Sequence, residues 1–232
     1  MIEIRPPSIL ASTWANGSLV LHHLFSQAAM AEGSPCWGEL HALNRTVLPP
    51  RGKLGQPIAG RDVVTVVRRG TVRLDCGTLP RIATAGQIDV IASGAAERVT
   101  RTNLTDEPAE YLDIQLRGHT PAVPGHLEHR AATFPGDGLS GNWALVASGL
   151  PEDRIAVPLR SGARVLAASM PVGSALRHEL EPGRRAYVLP LAGTVAANGI
   201  VLQAGGGAAI MDETHLRLEA LAVAELILIE TI

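Results

Sequence analysis

Between His41 and His119 the chain has no histidine, although eight occur in all. Aromatic residues are scarce, at 3%, so a core has to be built from Val, Leu, Ile and Ala within an apolar share of 46%. Lysine occurs once, at Lys53, the net charge is −2, and no basic run exceeds three residues. A nucleic-acid groove needs a concentrated Lys/Arg face, so direct DNA or RNA binding is not expected. No stretch of 18 apolar residues occurs, and no membrane-spanning helix is expected. The C-terminal run Leu218–Ile232, interrupted by Glu219, Glu225 and Glu230, reads as buried strand. The opening Met1–Pro7 lacks the apolar region of a secretory signal, and a cytoplasmic protein is expected. Two cysteines, Cys36 and Cys76, do not make a disulfide framework.

What the chain does have is turn residues and short β-rich runs. Gly 24 and Pro 16 punctuate segments such as Glu39–Leu48, Val63–Arg68, Thr71–Asp75, Ile88–Ala92, Tyr111–Leu116, Arg164–Ser169, Ala186–Leu191 and Leu226–Ile229. Helical periodicity is scarce. Short strands with turn signals every ~8–12 residues suggest a sandwich or barrel.

The chain also echoes itself. Val66-Val67-Arg68-Arg69-Gly70-Thr71-Val72 resembles Leu189-Pro190-Leu191-Ala192-Gly193-Thr194-Val195. Each is followed by a second strand, then Ala-Gly (Ala85-Gly86, Ala204-Gly205), then an apolar strand. A repeat at half the chain length argues for duplication into two similar domains. The Pro- and Gly-rich segment 119–141 reads as a linker, leaving domains at about 1–118 and 142–232. The second is short and is expected to borrow strands or to be a smaller barrel.

Several runs resemble a known family. Leu24-Phe25-Ser26, Trp37–Asn44, Val47–Gly52 and Asp62–Val72 look like the N-terminal barrel of pirins, and Asn103–Thr105 and Leu112–Leu116 continue the pattern. Gly183–Val188 and Gly205–Glu213 look like the second barrel of the YhaK-type subclass. The resemblance implies an all-β fold of two tandem cupin-like (double-stranded β-helix) barrels. It also implies a metal held in the first barrel by His-x-His on one strand and a His/Glu pair further on. Residues two apart on a strand face the same way, so such pairs converge on an Fe(II)-type site. By order along the chain the pairs fall on Gln56 and Ile58, and on Val99 and Arg101. Gln is a poor ligand, Ile and Val cannot ligate, and Arg repels a divalent cation. Carboxylates alone (Asp62, Asp75, Asp89, Glu97) would favour Mg or Ca.

Other constellations are weaker. His178 and His215 could meet in the C-terminal barrel, with Glu179 or Glu213, as an alternative site for Fe or another divalent metal, but a third ligand is missing. His22 and His23, adjacent on a strand, face opposite sides. His126 and His129 could clasp a metal only on a helical turn. Cys36 and Cys76 are candidate redox thiols without a basic cluster to activate them. Ser12, Ser26 and Ser140 lack a nucleophile-elbow context, and Gly205-Gly206-Gly207 reads as a β-turn rather than a phosphate loop. Arg101, if it faces the barrel interior, needs a partner: Glu97, Asp62 or a bound anion. The expectation is a bicupin without the usual metal, with no cofactor. It would bind a small molecule or a protein at a pocket formed by Gln56, Ile58, Val99 and Arg101. The alternatives are a metal-dependent quercetin-type dioxygenase and a cysteine redox sensor.

Overall fold

The structure, a computed structural model, describes residues 1–22, 37–58, 60–76, 80–93, 98–119, 127–134, 141–154 and 156–232. Among these the chain runs β1 (Ile2–Arg5), β2 (Ala11–Ala15), β3 (Ser18–His22), β4 (Leu40–Leu48), β5 (Lys53–Pro57), β6 (Arg61–Arg69), β7 (Thr71–Asp75), β8 (Arg81–Thr84), β9 (Gln87–Ser93), β10 (Arg98–Asn103), β11 (Ala109–Arg117) and β12 (Leu127–Thr133). It continues β13 (Ala144–Ser148), β14 (Val157–Pro158), β15 (Arg164–Met170), β16 (Ala175–Glu179), β17 (Arg185–Ala192), β18 (Thr194–Ala197), β19 (Ile200–Gln203), β20 (Gly207–Ile210), β21 (His215–Ala220) and β22 (Ala224–Thr231). The one helical turn among the described residues is a 3-10 turn at Pro7–Ile9. Among the described residues no helix is long and apolar enough to cross a membrane.

The strands form two compact units. The N-terminal unit is Ala11–Thr133 with Leu159–Ser161; the C-terminal unit is Met1–Leu10, Phe134–Pro158 and Gly162–Ile232. The first pairs a seven-stranded sheet, β12-β9-β6-β11-β4-β3-β2, with a four-stranded sheet, β5-β10-β7-β8. The second pairs β1-β20-β17-β22-β15-β13-β14 with β16-β21-β18-β19. The two sheet orders correspond except at one edge, where β2 runs antiparallel to β3 but β14 runs parallel to β13. Each unit buries its own apolar cluster, built on Ile58, Val63, Leu74 and Val99 in one and on Leu166, Val188, Leu218 and Leu228 in the other.

The sequence echo has a structural counterpart down to single hydrogen bonds. Ala85 N–H donates to Gly70 O (3.1 Å) and Gly86 N–H to Val67 O (2.9 Å); Ala204 N–H donates to Gly193 O (3.0 Å) and Gly205 N–H to Pro190 O (3.0 Å). Leu104 N–H to Thr71 O and Leu221 N–H to Thr194 O, both 2.9 Å, complete the match. Gly70 and Gly193 stand at φ of 80° and 75°. A Cβ there would press on Ala109 in one barrel and on the Val223–Ala224 backbone in the other, so only glycine fits either corner.

Two boundaries differ from the sequence reading. Within 119–141, taken as a linker, Leu127–Thr133 is a strand paired along its length with β9. It holds the outer place that β1, from the start of the chain, holds beside β20 in the other unit. An outer strand bonds on one side only, which tolerates a mixed sequence such as Leu-Glu-His-Arg-Ala-Ala-Thr that does not read as a core strand. The short C-terminal half does borrow a strand, β1.

Candidate functional site

The duplication gives each interior position of one barrel a partner in the other. Thr65 lies across from Asp113, and Val188 across from Leu228. Arg101 lies across from Leu54, and Leu218 across from Leu176. The C-terminal barrel is therefore apolar at Val188, Leu218 and Leu228, where the N-terminal barrel holds Thr65, Arg101 and Asp113. Asn44, Thr46 and Asp89 likewise stand where Leu166, Ala168 and Ala208 stand in the second barrel. All six of these C-terminal residues belong to its apolar core.

The polar set is a connected network. Arg101 Nη2 donates to Asp113 Oδ1 (2.7 Å) and to Thr65 Oγ1 (3.2 Å), and Nη1 donates to Gln56 Oε1 (3.1 Å). Thr65 Oγ1 in turn donates to Asp113 Oδ1 at 2.7 Å. The guanidinium carbon lies 5.3 Å from the centre of the Tyr111 ring, a cation–π distance. Arg101 and Asp113 are both 0% exposed. Burial pushes the Asp113 carboxyl above the ordinary carboxylate range, while Arg101, Thr65 and their hydrogen bonds pull it back. Burial likewise pushes the Tyr111 phenol far up.

The structure brings together the four residues singled out from the sequence, in two roles. β5 and β10 pair with Val99 opposite Gln56, so Gln56, Ile58, Val99 and Arg101 share one face. Ile58 and Val99 are packed in the apolar core; Gln56 and Arg101 are the polar members. Arg101 faces inward and pairs with Asp113, not with Asp62. Asp62 alternates to the other face of β6, where its carboxylate accepts from Arg160 Nε (2.7 Å) and N–H (2.6 Å). Glu97 lies outside the described residues.

Gln56 also lines a cavity of about 560 Å³, whose wall includes His22, His41, Asn44, Arg61 and Gln115. Arg98 adds a further cation, and Val20 and Leu54 add apolar surface; among the described residues no carboxylate lines the cavity. His22 is fixed at both ring nitrogens, Nε2 to Thr13 Oγ1 (2.9 Å) and Nδ1 to Asn44 Oδ1 (2.8 Å). Arg61 Nη1 donates to Gln115 Oε1 at 3.0 Å. His41 is pushed down to about 4 by burial and by the charges of Arg61 and Arg117, so at neutral pH it is an uncharged imidazole in a positive surround. The sequence reading missed His22, His41, Arg61, Asp113 and Gln115 as a site. The legible signal was Asp113, a carboxylate in the middle of the apolar run Tyr111–Leu116.

These residues do not fit a divalent metal. At the four positions where the resemblance puts ligands, the one oxygen donor is the Gln56 amide, and the guanidinium of Arg101 already engages it. A cation would face that fixed positive charge. Among the described residues no three His, Cys, Asp or Glu side chains converge as a metal site.

The alternative pair, His178 and His215, does not meet. β16 and β21 pair with His178 opposite Leu216 and Glu179 opposite His215, so the two imidazoles point to opposite faces. His178 Nε2 bonds Glu230 Oε2 (3.1 Å) and packs edge-on against Trp143; exposed His215 bonds Thr214 Oγ1. Burial pushes Glu230 up, but His178, Arg184 and Arg164 outweigh it and hold the carboxyl below its usual range. Burial raises the pKa of the Cys76 thiol, the reverse of what a reactive cysteine requires. Cys36, His23, His126, Ser26 and Ser140 lie outside the described residues. His129 sits in the strand β12 rather than on a helical turn.

Two β-barrels of corresponding strand order, one with an apolar interior and one with a buried polar network and an open cavity beside its apolar core, define a bicupin. Residues 145–231 match the family model described as the quercetinase C-terminal cupin domain. A pirin-like protein of Caulobacter vibrioides is 31% identical, over 99% of both chains, and this chain belongs to the pirin-like family. The crystal structure of the Escherichia coli pirin YhhW in complex with nickel(II) superposes with a TM-score of 0.87 at 17% identity, covering 100% of this chain and 99% of that one. YhaK, also of Escherichia coli, superposes at 0.70 with 19% identity, covering 96% and 93%.

Proposed function

We propose that this protein is a ligand-binding bicupin. Its N-terminal barrel takes a small organic molecule without a redox metal, as a binding or regulatory protein. One observation carries the reading. The N-terminal barrel holds a buried, hydrogen-bonded Arg101–Asp113–Thr65 network at positions that the C-terminal barrel fills with Leu218, Leu228 and Val188. A barrel of this fold does not need polar residues there, and a buried ion pair is at best a weak source of stability. The network holds Gln56 toward the cavity, and such a concave site with few convergent polar groups is the ordinary form of a small-molecule pocket. The test is a calorimetric screen of the full chain against anionic, neutral and cationic aromatic compounds. Stoichiometric binding that is lost on mutating cavity residues supports the reading; the absence of binding by any class overturns it.

A second reading is favoured by the family match over residues 145–231: flavonol dioxygenation by a metal-loaded form. Oxygen uptake with quercetin after incubation with Fe(II) or Ni(II) tests it. Because His178 and His215 point to opposite faces, a metal would have to be held by other residues than that pair.

A further inference from the structure

The duplication that aligns the barrel interiors also aligns a pair of polar positions beside them. Gln56 corresponds to His178 and Gln115 to Glu230, each at the same register on corresponding strands. In the C-terminal barrel the pair closes on itself. Arg184 Nε donates to Glu230 Oε1, and His178 Nε2 bonds the second oxygen, Oε2, at 3.1 Å. In the N-terminal barrel Arg61 likewise donates to Gln115 Oε1 (3.0 Å), but the second terminal atom of Gln115 is Nε2, a donor. Gln56 is held the same way, its Oε1 accepting from Arg101 Nη1 at 3.1 Å. A guanidinium can only donate, so each of these bonds fixes which end of the amide is oxygen and leaves the NH2 end over. Among the described residues neither Nε2 has an acceptor. Two N–H groups cannot satisfy each other. Where the C-terminal barrel has a donor–acceptor pair, the N-terminal barrel therefore has two donors, on residues that are 9% and 5% exposed and line the same cavity.

We infer that the cavity of the N-terminal barrel selects a small molecule through a carbonyl oxygen, which accepts from Gln56 Nε2 and Gln115 Nε2; this rests on the reading of the cavity as a ligand pocket. A carbonyl oxygen has two lone pairs and so answers both donors at once. The donors are uncharged amides, so the contact needs no charge on the ligand. A few fixed polar groups in a concave site are what orient a bound molecule, and Val20 and Leu54 give its hydrocarbon part a surface to pack on. Arg61 and Arg101 are positioning residues here: they hold the amide oxygens and so decide which end of each glutamine meets the ligand.

The experiment is nuclear magnetic resonance titration of the full chain, as wild type, Gln115→Glu and Gln56→Met. The probes are acetophenone, α-methylstyrene, in which a C=CH2 group of the same shape replaces the carbonyl, and indole, which offers an N–H donor alone. Acetophenone is expected to bind at least about fivefold more tightly than either of the others, the scale of net hydrogen bonds to a neutral acceptor, and to displace the side-chain NH2 signals of Gln56 and Gln115. Gln115→Glu supplies the acceptor from within, as Glu230 does in the other barrel. It is expected to cost acetophenone about fivefold or more in affinity and to leave α-methylstyrene unchanged, a split that a merely structural role would not produce. Gln56→Met removes one donor at similar length and is expected to weaken acetophenone selectively as well. Should both variants fail to fold, the infrared carbonyl stretch of acetophenone bound to wild type decides, since accepted hydrogen bonds lower it. Equal binding of acetophenone and α-methylstyrene, an unshifted carbonyl stretch, or undiminished acetophenone binding by Gln115→Glu overturns the inference and leaves the pocket reading standing. If none of the three probes binds, the inference falls, and if the calorimetric screen is blank as well the pocket reading falls with it.

Discussion

Replacing Arg101 alone and replacing the whole network should have opposite effects. Arg101→Leu leaves Asp113, 0% exposed, without its counter-ion and leaves Thr65 and Gln56 each without a donor. Breaking a buried pair in this way costs about 3–5 kcal/mol, or about 6–20 °C in midpoint for a chain of this size. Thr65→Val, Arg101→Leu and Asp113→Leu together copy the interior of the C-terminal barrel at Val188, Leu218 and Leu228. The triple variant should be at least as stable as wild type, because apolar replacements of similar volume remove two desolvated charges. The single variant also has a pH signature. A carboxyl whose folded-state pKa is raised binds more protons folded than unfolded, so its stability is greatest at low pH and is lost as pH rises through the folded pKa. Burial already raises Asp113, and Arg101 opposes it; without Arg101 the window of loss extends to higher pH. Urea denaturation of the three proteins between pH 5 and 8 reads all of this. A single variant within about 1 kcal/mol of wild type at pH 7.5, or a triple variant less stable than the single, would refute the reasoning.

Three further outcomes are expected. His41, with its folded pKa near 4, takes up its proton more readily unfolded, so stability present above about pH 6.5 is lost as pH falls toward 4. The loss is about 1–2 kcal/mol after discounting for solvent screening of a half-buried ring, and His41→Gln should flatten a melting profile taken over that range. Glu230→Gln removes the negative charge and one of the two carboxylate oxygens that His178 and Arg184 share and should lower the stability of the C-terminal unit by about 3 kcal/mol, measured by chemical denaturation; an unchanged midpoint would count against the cluster. Cys76, 1% exposed, should resist mild peroxide in peptide mass mapping, and stoichiometric sulfenylation there would contradict its burial.

Much of the barrel was legible because its core strands are apolar runs between glycine corners. Thr71–Asp75 matched the structural strand at both ends, and the Gly70-Thr71 and Gly193-Thr194 echo marked the duplication that the hydrogen bonds repeat. The strands that carry the site were harder. β5, β10 and β16 are short and rich in Lys, Arg, Gln and Gly. In β10 the inward position of the alternation is occupied by Arg101, which breaks the very pattern that identifies a strand. Asp62, one of the partners expected for Arg101, fails for a related reason. Asp62 is near in the ordering of strands but alternates to the far side of β6, whereas Asp113 is brought opposite Thr65 only by the pairing of β11 with β6. Sequence order does not specify register; the buried faces do. The separation of His178 from His215 followed the same rule, since one residue of register decides which face each imidazole takes.

The most direct test of the proposal that a guanidinium stands where the resemblance puts a metal is elemental analysis of untagged protein, purified without chelators and incubated with Fe(II) and Ni(II). With Gln56, Ile58, Val99 and Arg101 at the positions where the resemblance puts ligands and Arg101 bonded to Asp113, the result expected is well below about one-tenth of a metal per chain after desalting. About one metal per chain, retained through desalting and lost on mutating residues of the N-terminal barrel, would contradict it.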